Sequence, residues 1–282
     1  MSDRPFAVGF IFGVLPVLLS YIKGWVWFPS ELSWEDKGLM ILCAMIVVSN
    51  YLNEYLQWYP LQYSKFAPEG GVPARLGWFL LYFIPMVAYV LVWNYLGAST
   101  EPYDLLMLGL YCAHFSKRCL ETLFVHKYSK DCVLIAVIEI ATFYSLGAVT
   151  TAYSLHSLSG PERHSFLDNE LRVKIGLGVY CTGQLCNLAH HYILASLRSP
   201  GKYKYVIPSG GLFSLVVCPQ YAGELLSWLG FGIVGMSYGA FINYMPMVAY
   251  LSARAHHTYR WYGQKFEDYP GKSTFKLWPF VY

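Results

Sequence analysis

The side chains in this sequence that can do chemistry are few, and they sit in apolar company. His114, Lys117, Arg118 and Glu121 fall within one hydrophobic run, and Asn187, His190 and His191 within another. Ionisable and amide groups are costly in such runs, so they face a cavity or one another. Lys117 and Arg118 lie four and three residues before Glu121, which puts either base within reach of the carboxylate along one helix face. A structural salt bridge, or a lysine reaching for headgroups, meets the same spacing as a catalytic pair. Asn187 and His191 share a face by the same rule, suited to an interhelical hydrogen bond or to a ligand. Glu224 stands one turn after Tyr221, where it can hydrogen-bond an amide or pair with an arginine.

Phosphate and metal chemistry leave weaker traces. The segment RSPGKYKYVIPSGGLF (198–213) sets Arg198, Lys202 and Lys204 among glycines and tyrosines, a composition that can hold a phosphate. It lacks the GxxxxGK-S/T spacing of a P-loop, and so does Gly271-Lys272-Ser273, which has Phe266 where the first glycine belongs. No GxGxxG follows a strand, so a nucleotide has to be held by helices, through Arg and Lys charges and Asn or Tyr hydrogen bonds. His190-His191 and His256-His257 are adjacent pairs, which diverge on a helix and argue against a metal site. The seven cysteines form no CxxC pair and read as core residues.

The elements that carry these groups are helices in a bilayer. The chain has 282 residues, of which 56% are hydrophobic and 13% charged, against about 25% charged in a soluble domain. A helix crosses the hydrocarbon layer in about 20 residues. Runs of that order lie at 6–27, 38–56, 76–96, 105–124, 133–155, 173–197 and 225–253. The fold class expected is therefore all-α, a polytopic membrane protein with about seven transmembrane helices in one bundle. Trp25, Trp27, Trp58, Tyr59 and Trp278 crowd the span ends, as interfacial aromatics do. The first run reads as an anchor, because Arg4 is the only basic residue before it and no small-x-small cleavage site stands out. A net charge of +3 with scattered basic residues excludes a nucleic-acid partner. No repeat or soluble-sized polar block divides the chain.

Four blocks then resemble one family. HHTYRWYGQKFEDYPGKSTFKLWPFVY, NLAHHYILASLRSPGKYKYVIPSGGLF, CPQYAGELLSWLGFG and HFSKRCLETLFVHKYS are similar to the C-terminal signature, cofactor helix and loops of the steroid 5-alpha-reductase family. Upstream, VPARLGWFL (72–80) resembles a family segment as well. The resemblance divides the chain into N-terminal helices over 1–104 and a catalytic region over 105–282. It implies a multi-pass enzyme of the endoplasmic reticulum membrane that uses NADPH to reduce a carbon–carbon double bond conjugated to a carbonyl.

Substrates in this family are 3-oxo-4-ene steroids in one branch and trans-2-enoyl-CoA of very-long-chain fatty acid elongation in the other. The steroid branch uses a Glu in its second or third helix and a Tyr after the His of the fourth. Here Tyr82 and Phe83 stand near the first position, and Phe115 follows His114. The enoyl-CoA branch carries an essential Lys and Tyr, which match Lys117 and Tyr221. The expected substrate is therefore the enoyl-CoA, with elongase-complex proteins as candidate partners; the steroid is the alternative, and a non-catalytic membrane protein the second.

By the same resemblance, Tyr221 donates to the developing enolate, and Lys117 lowers its pKa or holds a phosphate. Asn187, His191, Arg198, Tyr205, Arg254 and Tyr262 match the NADPH-binding positions, with Arg198 and Arg254 on phosphates; Glu224 joins them as a candidate from its spacing, for the nicotinamide amide or for an arginine. Gln220 departs from the family, which has Asn there. FEDYP (266–270) is expected to fix a turn.

Overall fold

The computed structural model describes residues 5–26, 33–63, 71–128, 130–157, 169–198, 205–267, 269 and 275–280. Lys202, Lys204, Gly271-Lys272-Ser273 and the Asp268 and Pro270 of FEDYP lie outside the described residues. The described chain is helical. Its helices are α1 (Pro5–Ile22), α2 (Trp34–Asn50), α3 (Ala74–Tyr95), α4 (Pro102–Leu120), α5 (Leu134–His156), α6 (Glu170–Ser196), α7 (Pro219–Gly235), the short α8 (Tyr238–Ile242) and α9 (Tyr244–Lys265).

The first six correspond to the first six runs expected from the sequence. Three helical stretches are long and apolar enough to cross a membrane: Trp34–Tyr55, Ala74–Tyr95 and Leu134–His156. They turn apolar side chains outward, among them Ile41, Met45, Leu91 and Ile138, where a soluble protein would place polar groups.

One expectation is corrected. The run 225–253 is not a single span, because the helix stops at Gly235, Met236 takes a left-handed φ of 57°, and Ser237 caps a new start. The Ser237 side chain accepts from the Gly239 N–H, offering the freed backbone a partner that an uninterrupted helix would not need.

Two features set up the site. First, α2 and α4 each run into a π-helical turn, Tyr51–Tyr55 and Glu121–Val125, a wide turn that often marks functional positions. Each turn carries a buried carboxylate, Glu54 or Glu121. Second, α6 and α7 cross backbone to backbone through glycines seven residues apart on each helix, Gly176 and Gly183 against Gly223 and Gly230. A Cβ on Gly223 would stand 2.6 Å from the Asn187 nitrogen, and one on Gly176 would stand 2.7 Å from the Val234 side chain. At Gly183 and Gly230 the intrusion would be deeper still. This contact holds Asn187 against the first turns of α7.

That first turn is also pinned from the C-terminal tail. Val217 donates to the Phe275 carbonyl at 2.8 Å, Phe275 to Leu215 at 2.9 Å, and Cys218 to Lys276 at 3.2 Å.

Candidate active site

A cavity of about 530 Å³ opens between α2, α3, α4, α5, α6, α7 and α9. Its wall includes Asn187, His191, Arg198, Tyr205, Tyr221, Glu224, Arg254 and Tyr262. The sequence-derived candidates thus converge on one space, with Lys117 the exception: it is not among the lining residues.

Lys117 stands behind Asn187. Its Nζ is 2.6 Å from Asn187 Oδ1 and 3.6 Å from Glu121 Oε1. Asn187 Nδ2 in turn donates to the Gln220 carbonyl at 2.8 Å and to Glu224 Oε2 at 3.1 Å. Glu224 Oε1 meets His114 Nε2 at 3.1 Å and Trp228 Nε1 at 3.2 Å. This buried chain from α4 through α6 to α7 fixes the rotamers of Asn187 and Glu224 before any ligand arrives, as a fully partnered network does. Lys117 and Tyr221 are not joined by a hydrogen bond; Tyr221 sits in the first turn of α7 and faces the cavity. The contacts of Lys117 are to Asn187 and Glu121.

Two buried Arg–Glu pairs flank this network. Arg118 is paired with Glu121, donates to the Tyr82 hydroxyl at 2.7 Å, and lies 2.8 Å from His191 Nδ1. Arg254 Nη1 is 3.2 Å from Glu54 Oε2 and donates to the Leu61 carbonyl at 3.1 Å, with its guanidinium 4.2 Å over the Tyr63 ring. Arg254 is 4% exposed and lines the cavity while paired with an internal carboxylate. Burial raises the Tyr63 phenol above its ordinary pKa, against a lowering by Arg254, and its oxygen accepts a hydrogen bond from the Tyr250 hydroxyl at 2.7 Å.

At the rim, Arg198 and Lys127 each donate to the other's backbone carbonyl, Lys127 at 2.8 Å. Among the described residues neither meets a carboxylate, and the Arg198 guanidinium lies 5.9 Å over Tyr205. Tyr205 packs on Trp261 at 5.0 Å, and Tyr262 stacks on Tyr269 at 5.0 Å. His190 faces away from this work: its Nε2 accepts from the Leu212 N–H at 2.9 Å and steadies the loop before α7.

Glu121, His126 and His191 bring ligand atoms within 4.8 Å of one another, a grouping that adjacent histidine pairs did not suggest. The Arg118 guanidinium lies against two of the three, so a cation entering there would face an existing positive charge. Burial pushes the His126 imidazole down to about 2, helped by the charges of His191 and Arg118. The cluster reads as a neutralised polar network.

Several wall residues lacked a sequence signal. Glu54, Tyr63, Tyr82, Glu139 and Tyr250 line the cavity. Glu54 lies on the π-helical turn that continues the second helix, so the wall does hold a carboxylate from the region where the resemblance pointed only to Tyr82 and Phe83; no base stands near it in the sequence to mark it.

The family profile described as 3-oxo-5-alpha-steroid 4-dehydrogenase matches residues 130–282. The chain is 32% identical over 220 residues to 3-oxo-5-alpha-steroid 4-dehydrogenase 1 of Macaca fascicularis, covering 75% of this chain and 80% of the relative. It is 30% identical over 213 residues to the type 2 protein of Homo sapiens, covering 75% and 82%. Against the type 2 protein of Mus musculus it is 31% identical over 233 residues, covering 79% and 89%. The chain belongs to the steroid 5-alpha-reductase (3-oxo-5-alpha-steroid 4-dehydrogenase) family and is an oxidoreductase acting on CH–CH groups.

Proposed function

We propose that the protein is a multi-pass reductase of the endoplasmic reticulum membrane, with about seven crossings, that uses NADPH to reduce a double bond conjugated to a carbonyl in an uncharged lipid. The substrate class is a 3-oxo-4-ene steroid. The names of the relatives carry this choice. Of the four Lys and Arg side chains in the described wall, Arg118 is paired with Glu121 and Arg254 with Glu54. Arg198 and Lys127 stand together at one rim, where their charges suit the phosphates of a nucleotide. Trans-2-enoyl-CoA is the second reading, favoured by Lys117 and Tyr221 in the runs that resemble that branch, and it would bring elongase partners.

The wall also fits the cofactor. Gln220 Oε1 is buried with no hydrogen-bond donor among the described residues, and Gln220 lines the cavity. A carboxamide N–H2 would satisfy this acceptor, whose burial without a partner is otherwise costly. NADPH, when bound, supplies the hydride for the β carbon. Arg198 and Lys127 hold a phosphate, Tyr205 and Tyr262 pack along the nucleotide, and Asn187, His191 and Glu224 present fixed polar atoms to its nicotinamide end. Tyr221 keeps its O–H directed at the carbonyl oxygen, where negative charge grows as the double bond is reduced; a preorganised donor in a dry site stabilises that charge. The N-terminal helices of residues 1–104 and the catalytic region of residues 105–282 both contribute to the wall.

The test is single-turnover NADPH oxidation by detergent-purified protein, offered a 4-en-3-one steroid and a long-chain trans-2-enoyl-CoA in parallel. Oxidation with the steroid is expected, and oxidation with the acyl-CoA alone would sink the steroid reading. Tyr221→Phe is expected to cut turnover by about 10²-fold or more at unchanged yield; unchanged turnover would remove Tyr221 from the chemistry.

A further inference from the structure

One carboxylate in the cavity wall is used by nothing described so far. Glu139 lies in α5, a helix otherwise apolar enough to cross a membrane. It lines the cavity with Ile140, Phe143 and Tyr144 of the same helix. The other two wall carboxylates of the polar network are held in place: Glu54 by Arg254 and the Leu61 N–H, Glu224 by His114, Asn187 and Trp228. Glu139 makes no hydrogen bond or ion pair among the described residues. An acid in an apolar crossing helix is expensive and marks a ligand path or a partner. A side chain merely drawn to headgroups would leave the wall, yet Glu139 is half-buried within it.

We propose that Glu139 binds the far end of the substrate, accepting a hydrogen bond from a hydroxyl remote from the reducible double bond. The assignment rests on the steroid-reductase reading. Glu139 enters the wall from α5 and Tyr221 from α7, so a molecule that fills the cavity meets both. The aromatic side chains of Phe143 and Tyr144 give the apolar body between them a surface to pack on. A carboxylate offers acceptors and no donor. A remote hydroxyl satisfies it, whereas a remote ketone sets oxygen lone pairs against it and leaves it unpaired. Glu139 is therefore a specificity residue whose sign is fixed: hydroxyl over ketone.

The experiment compares two 4-en-3-one steroids that differ only in a hydroxyl or a ketone on the ring farthest from the enone, using the full chain in detergent. The parent is expected to favour the hydroxyl by about tenfold or more in kcat/KM, the size of one charged hydrogen bond. Glu139→Gln, whose amide both donates and accepts, should bring that ratio within about threefold while leaving the NADPH Kd unchanged. Glu139→Leu, which suits an apolar helix, should collapse it likewise if the Gln protein purifies poorly. A parent that reduces both steroids equally well, or a ratio that substitution does not move, overturns the role of Glu139 and leaves the reductase reading standing. A parent that binds NADPH but reduces neither steroid overturns both.

Discussion

Glu54 and Glu121 do the same job at two places: each is a buried acid on a π-helical turn, and each neutralises an arginine of the cavity wall. Glu121 was legible because Arg118 stands three residues before it. Glu54 was not, since Arg254 is 200 residues away and only folding brings them together. A buried pair broken from one side leaves an uncompensated charge, at a cost of about 3–5 kcal/mol. Glu54→Ala is therefore expected to lower the thermal midpoint of the purified protein markedly. The double substitution Glu54→Gln with Arg254→Met should recover much of that loss, because no lone charge remains. Equal midpoints for parent and Glu54→Ala would mean that Arg254 finds other compensation. Arg198 follows a different rule. It carries a rim charge without a described acidic partner, so Arg198→Ala is expected to weaken NADPH binding in a titration and to leave the thermal midpoint near that of the parent.

Between α6 and α7, register is set by what is missing from the glycine side chains. Gly183→Ala would drive a Cβ into the α7 backbone around Ser227, and backbone cannot swing aside as a side-chain tip can. Overpacking of this kind costs about 1–3 kcal/mol. It would also pull Asn187 from its 2.8 Å bond to the Gln220 carbonyl. The expected result is NADPH affinity weaker by about tenfold or more, read by intrinsic fluorescence titration. Gly178→Ala on the same helix is the control, since its Cβ meets nothing within 4 Å; equal effects from the two substitutions would contradict the close-packed crossing. The glycines are plain in the sequence, but their meaning depends on which helix lies opposite. The end of α7 was misread for a related reason. The run 225–253 has no charge or early proline to mark a stop, and the left-handed Met236 and the Ser237 cap act through backbone geometry that hydropathy does not record.

For the molecule as a whole, outward apolar faces on Trp34–Tyr55, Ala74–Tyr95 and Leu134–His156 require a lipid environment. The chain is expected to stay with the membrane pellet after alkaline carbonate extraction and to enter solution only with detergent; release by carbonate would refute membrane crossing by these helices. Composition alone made this class visible, because a 13% charged chain cannot cover its own surface with polar groups. Helix positions were visible too, since a long apolar run has no other way to satisfy its backbone in lipid. Motif resemblance marked Asn187, His191, Arg198, Tyr205, Tyr221, Glu224, Arg254 and Tyr262 as one set before any contact among them was known. The fold decided what each of them faces. It turned Lys117 to the back of Asn187, gave Arg254 to Glu54, and left Glu139 in the wall without a described partner. Spacing along one helix determines neighbours three and four residues apart. Partners on other helices depend on crossing, register and which side chain is small enough to let two backbones meet, and those are properties of the packed bundle.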